Sequence, residues 1–157
     1  MRETCLCPKH ENFRFLCDRL KTENVIPKSD PIELIESEML CSPVTVDCWH
    51  RQCQNCFNKM ITVSTFCGEK NVNYEKWESI FEDGFKRLIK VKKNCSLVDL
   101  VSIFFTELDP FVEHVANIKH QYKAMRELRE NLSENEILIH VDFAKNFNCK
   151  YDREVMS

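Results

Sequence analysis

Two short stretches decide how this chain is read: Cys53-Gln54-Asn55-Cys56 and, far upstream, Cys7-Pro8-Lys9-His10. A two-residue gap lets both ligands of a pair face one ion, and two such pairs supply the four ligands of a closed tetrahedral zinc site. The interval between them is long, but loop-closure entropy grows slowly with length and does not forbid the site. Cys5, Cys41 and Cys48 lie nearby, so the full spacing is C-x-C-x2-H followed by C-x6-C-x4-C-x2-C. Seven ligands are one short of two four-ligand sites. His50 or Cys17 could complete the second, although Cys17 falls on the apolar face of a helix. The expected cofactor is a structural Zn2+ held by residues drawn from Cys5, Cys7, His10, Cys41, Cys48, Cys53 and Cys56. The competing use of a cysteine is as a small buried hydrophobe, and that reading is preferred for Cys17, Cys67, Cys95 and Cys149.

Seven of the ten cysteines lie in the first 56 of 157 residues. A Cys/His-rich module is therefore expected over residues 1–70, a helical connector with a β-hairpin over 71–132, and a further unit over 133–157. The hydrophobic share of 43% with 30% charged residues is that of a globular chain and excludes a disordered polyelectrolyte. No uncharged apolar run reaches the ~18–20 residues that cross a bilayer, and no signal-peptide core follows Met1. An intracellular location, nuclear or cytoplasmic, is expected, with reduced thiols and no membrane partner. The net charge of −3 lacks the excess of a dedicated nucleic-acid binder. One basic run stands out: Lys86, Arg87, Lys90, Lys92 and Lys93 fall within nine residues, either a solvated strand face or a phosphate-contacting patch.

Phe13, Leu16, Cys17 and Leu20 recur at helical spacing and predict a helix over 10–21. Asp30-Pro31 is a helix start, with aspartate as cap and proline in the first turn; Ser42-Pro43 ends that run. Tyr74–Trp77 and Arg87–Val91 read as strands around an Asp83-Gly84 turn, with a helix over 76–90 as the alternative. Leu97, Leu100, Val101, Phe104, Phe105 and Leu108 predict a helix over 96–108. Asp109-Pro110 is expected to stop it and to start another over 110–132. Ile137-Leu138-Ile139-His140-Val141-Asp142-Phe143, apolar on both faces, predicts a central strand. An aspartate among apolar neighbours needs a partner: Asp142 either braces the turn at Ala144–Asn146 or holds a divalent ion.

Several of these stretches carry a resemblance. Leu128-Arg129-Glu130-Asn131-Leu132 followed by Glu136–Ala144 and Asn146 resembles transposase-derived proteins of invertebrate mobile elements. In these, a Lys/Arg-Glu-Asn-Leu box runs into a strand ending Asp-Phe-Ala/Ser-Glu-Asn-Tyr. Cys5–Asn12 is similar to their Cys-x-Cys-x-x-His-x-Asn box, and Cys41, Cys48, Cys53 and Cys56 match their cysteine cluster. Tyr74 with Trp77 matches a Tyr-x-x-Trp element, and His114 and Gln121 fall where that family has His and Gln in a long helix. The resemblance implies an α+β chain: a zinc-stabilised helical module, further helices, and an incomplete RNase H-like sheet of the DDE type.

It also implies that Asp142 is the ancestral first catalytic carboxylate, one of three that together would hold two Mg2+ ions in an intact core. Lys145 stands where the family has glutamate, and only 15 residues follow Asp142. The expectation is therefore a non-catalytic remnant of a DDE transposase that contacts DNA weakly. The alternative is a zinc-stabilised protein-interaction module that binds no nucleic acid. An enzyme pairing Asp142 with His114, His120 or His140 is a third reading. Exposed edges of the 137–143 strand would favour self-association, and no small-molecule substrate is indicated.

Overall fold

Helix α1 spans Pro8–Thr22 and begins where proline suits it, since the first helical position needs no N–H donor. The computed structural model describes residues 7–82 and 84–139. Phe13, Leu16, Cys17 and Leu20 form the buried face of α1, as their spacing requires. Helix α2, Pro31–Glu38, is capped by Asp30, whose carboxylate accepts the Glu33 N–H at 2.8 Å. A single turn, α3 (Val46–Trp49), follows.

Strands β1 (Asn71–Glu82) and β2 (Phe85–Ser96) form a long antiparallel hairpin in register from Asn71↔Ser96 to Glu82↔Phe85. The connection takes two residues, and Gly84 has the positive φ of +80° that such short turns demand. The strands are thus longer than the two segments expected around this turn. Ser96 ends β2 and at once caps α4, Leu97–Glu130. Its hydroxyl accepts the Asp99 N–H at 3.1 Å and donates to the Asp99 carboxylate at 2.6 Å.

Helix α4 corrects one expectation: Asp109-Pro110 does not divide it, and Pro110 sits inside a single 34-residue helix. An interior proline costs about 3 kcal/mol. Beyond it, Phe111, Val112 and Val115 are buried, each worth about 1.5–3 kcal/mol. They can reach the core only if the helix continues past the proline on the same face. Phe13 of α1 stacks on Phe111 with ring centroids 4.3 Å apart and on Phe104 at 5.2 Å. The core therefore runs without interruption from α1 and α2 through Trp49 of α3 and Val72 of β1 to Ala116 of α4. From Asn117 onward no residue of α4 is buried, so its last turns project past the core.

The sheet expected near residue 137 is not found among the described residues. Residues 133–139 carry no strand, and Ile137 and Ile139 are 86% and 76% exposed. A strand needs a neighbour for its backbone groups, and neither β1 nor β2 pairs with this segment. The α+β class holds, with four helices and one two-stranded sheet among the described residues. Cys5 and the remainder of the expected strand, with Asp142, Lys145 and Cys149, lie outside the described residues. Among the described residues, no helix is long and apolar enough to cross a membrane.

Candidate metal centre

The segment between α2 and β1 has little regular structure, yet it brings four thiols together. Three turns do this. Past α3, His50 and Arg51 close back on Val46 and Cys48, and Arg51 adopts a φ of 58°, in the left-handed region. That reversal lets Gln52 and Cys53 both donate their N–H groups to the Asp47 carbonyl, returning Cys53 to Cys48. Cys56 and Phe57 then fold over the Cys53 carbonyl at 3.2 and 2.9 Å. The Arg51 guanidinium braces the far side by donating to the carbonyls of Cys56 (3.4 Å) and Lys59 (3.0 Å), and Lys59 donates to that of Leu40 (3.3 Å).

As a result the sulfurs of Cys41, Cys48, Cys53 and Cys56 all lie within 4.8 Å of one another. Cys41 and Cys53 are 3.8 Å apart, and a tetrahedron with metal–sulfur bonds of ~2.3 Å has edges of about 3.8 Å. The set is positioned to bind a metal ion. Its electrostatics are uneven. The Thr45 hydroxyl, 3.2 Å from the Cys48 sulfur, is the main cause that draws the Cys48 pKa down to about 6, assisted by the Thr45 N–H. Burial, together with hydrogen bonding to Cys41, Cys53 and Cys48, pushes Cys56 up to about 12. Cys48 is thus the readier of the two to lose its proton, and a metal bound here would displace the proton of Cys56.

Cys7 and His10 do not join Cys53 and Cys56, and this corrects the pairing expected from spacing. Their partner is His114, in the middle of α4. The Cys7 sulfur lies 3.5 Å from Nδ1 of His10 and 3.1 Å from Nε2 of His114. The reason is the packing of α1 on α4: Phe13 and Phe111 stack, which sets the first turn of α1 beside the turn of α4 that carries His114. Burial is the main cause lowering both imidazole pKa values, aided at His10 by the charge of His114 and at His114 by that of Lys9. Both rings therefore favour the neutral form, which has a lone pair to offer. Spacing could not find His114, since it is one histidine more than a hundred residues from Cys7. Its only signal was the histidine of the long helix in the family resemblance.

Neither His50 nor Cys17 enters a cluster. Cys17 is fully buried in the core, and burial raises its thiol pKa. Cys95 is half-buried against the core, whereas Cys67 is exposed rather than buried.

The basic run is divided by the alternation of β2. Lys86, Lys90 and Lys92 share one face and Arg87 and Lys93 the other. Glutamates answer most of these charges: Arg87 pairs with Glu82 at 3.0 Å, Lys90 with Glu75 at 2.7 Å and Lys93 with Glu78 at 2.9 Å. Lys92 stands opposite Glu75 and Lys86 opposite Phe81.

Asn12 links two further motif positions, since its side-chain amide accepts from the Trp77 N–H at 2.6 Å and donates to the Trp77 carbonyl at 3.0 Å. The cleft between α1, β1 and α4, lined by Asn12, Tyr74, Lys76 and Glu107, encloses about 140 Å3. Pockets for drug-sized ligands run to roughly 300–1,000 Å3. Compared with family models, curated proteins and solved structures, the chain matches none.

Proposed function

We propose that this chain is a zinc-stabilised binding domain without catalytic chemistry of its own, of the transposase-derived kind its motifs resemble. The observation that carries the reading is the convergence of Cys41, Cys48, Cys53 and Cys56 to mutual distances within 4.8 Å. Four thiolates complete a tetrahedral shell and leave no position for water or substrate, the mark of a structural rather than a catalytic ion. Zinc suits the set because it is redox-inert and imposes no geometry against a tetrahedron of soft ligands.

The family origin is supported by where its motif positions meet: Asn12 of the first box bonds Trp77 of the second, and His10 stands beside His114. Of the two binding readings, the protein partner is favoured over DNA. The cations of β2 are split between two faces, and Arg87, Lys90 and Lys93 are paired with glutamates; charges so neutralised release few counterions from a duplex.

Purified full-length chain analysed for metal, and titrated against fluorescent duplex DNA at low and physiological salt, tests both parts. Tightly held zinc with negligible DNA affinity at physiological salt is expected. Metal-free protein with an intact fold would overturn the zinc assignment. Salt-sensitive DNA binding abolished by Lys86→Glu would restore the nucleic-acid reading. No nicking of supercoiled DNA is expected with Mg2+ or Mn2+, and cleavage that disappears in Asp142→Asn would refute the non-catalytic assignment.

A further inference from the structure

Cys7, His10 and His114 form a second cluster that shares no residue with the four-cysteine set. We propose that these three side chains are ligands of a second zinc ion that staples the first turn of α1 to the middle of α4.

The geometry fits such an ion. With Zn–S of ~2.3 Å and Zn–N of ~2.0–2.1 Å, a tetrahedral edge between sulfur and nitrogen is about 3.6 Å. The Cys7–His10 distance of 3.5 Å meets this without movement, and the Cys7–His114 distance of 3.1 Å needs a few tenths of an ångström.

The ligands are also held in place before an ion arrives. Cys7 and His10 are separated by one helical turn at the start of α1, so the backbone sets their spacing. The His10 ring stands edge-on to Phe111 at 5.1 Å, and Phe111 is itself stacked on Phe13 in the core. His114 lies one turn beyond Phe111 on α4, and its ring centroid is 5.0 Å from that of His10.

Chemistry favours an ion over a plain hydrogen-bond triad. The sulfur and the two ring nitrogens lie within 4.8 Å of one another, so a single divalent cation can bond all three at once. Half-buried ligands leave the ion a path in. The three side chains leave one coordination position open, and the ion's role here is to hold α1 against α4. Because the two clusters share no residue, the second ion does not depend on the first.

The test is zinc stoichiometry of the full chain, wild type and variants, after exhaustive removal of loosely held metal. Two zinc ions per chain are expected for wild type, one for His114→Ala, one for Cys53→Ser and none for the double variant. His114→Cys, which replaces one zinc ligand by another, should restore the ion lost in His114→Ala and thereby separates ligation from misfolding. In the Cys53→Ser background, Co2+ should give the visible spectrum of a tetrahedral site with a single thiolate. One zinc in wild type and in His114→Ala alike would overturn the second site and leave the four-cysteine site standing. Two zinc ions retained in Cys53→Ser would overturn the four-cysteine site instead.

Discussion

Replacing Cys53 by serine removes one ligand from the four-cysteine cluster and leaves α1, β1, β2 and α4 untouched. The segment that the proposed ion would hold has a definite ordering cost. Ordering roughly 16 residues, from Cys41 to Cys56, costs at least ~1 kcal/mol each in backbone entropy, about 16 kcal/mol. Its apolar anchors are few. Trp49 is 4% exposed, and Leu40 and Ile61 flank the segment at 3%; together they return about 7 kcal/mol. The remaining ~9 kcal/mol is just under the ~10–16 kcal/mol that structural zinc can supply. Without the ion the segment should open.

The two tryptophans allow that opening to be watched locally. Trp49 sits in α3 beneath the Lys119 ammonium at 4.6 Å, while Trp77 lies on the hairpin and can be silenced as Trp77→Phe. In that background, Cys53→Ser should shift Trp49 emission fully to the red and make Cys41, Cys48 and Cys56 reactive towards alkylating agents. The far-UV helical signal should barely fall, because α3 has 4 residues against the 15, 8 and 34 of α1, α2 and α4. A variant that keeps Trp49 buried and its thiols protected would refute the metal dependence. One that loses most of its helical signal would refute the claim that the loop opens alone.

Three further outcomes are expected. Asn12→Ala leaves the outward N–H and carbonyl of Trp77 without their partner, and urea unfolding should show a loss of about 1–3 kcal/mol. Phe104→Ala removes a fully buried ring stacked on Phe13 and should cost about 3–5 kcal/mol by the same measurement. Glu23, hydrogen-bonded by Lys70 and also paired with Arg19, has its carboxyl held below the ordinary glutamate range, chiefly by Lys70. A folded-state value below the unfolded ~4.3 means the stabilisation is complete above that pH and is lost as pH falls through the folded value. The stability gap between wild type and Glu23→Gln, about 1 kcal/mol at neutral pH, should therefore close on acidification below pH ~4. A gap that persisted at pH 2 would show that the ion pairs are not its cause.

Local patterns were legible where chemistry and neighbourhood coincide in the chain. The apolar spacing of Phe13, Leu16, Cys17 and Leu20 identified the buried face of α1, Asp30-Pro31 marked the start of α2, and Asp83-Gly84 located the hairpin turn. Pro110 misled because local propensity opposes a helix there, while the packing of Phe111 on Phe13 of α1 and the burial of Val112 and Val115 in the core outweigh it. Ile137 and Ile139 misled in the opposite sense. Their pattern suits a buried strand, but burial requires a neighbouring strand, and none of the described strands pairs with them.

By itself, the amino-acid sequence marked Cys7, His10, Cys41, Cys48, Cys53 and Cys56 as candidate ligands, though not His114, and placed helices and strands in one chain, since residue types and periodicity are carried within a few neighbours. Only the tertiary structure decided which candidate ligands lie together. Cys7 and His10 looked like one half of a site with Cys53 and Cys56, yet the stacking of Phe13 on Phe111 turns them towards His114. Cys53 and Cys56 close instead on Cys41 and Cys48 through the reversal at Arg51. Metal ligation depends on distances of a few ångströms, and over a hundred residues of chain those distances are set by packing rather than by spacing.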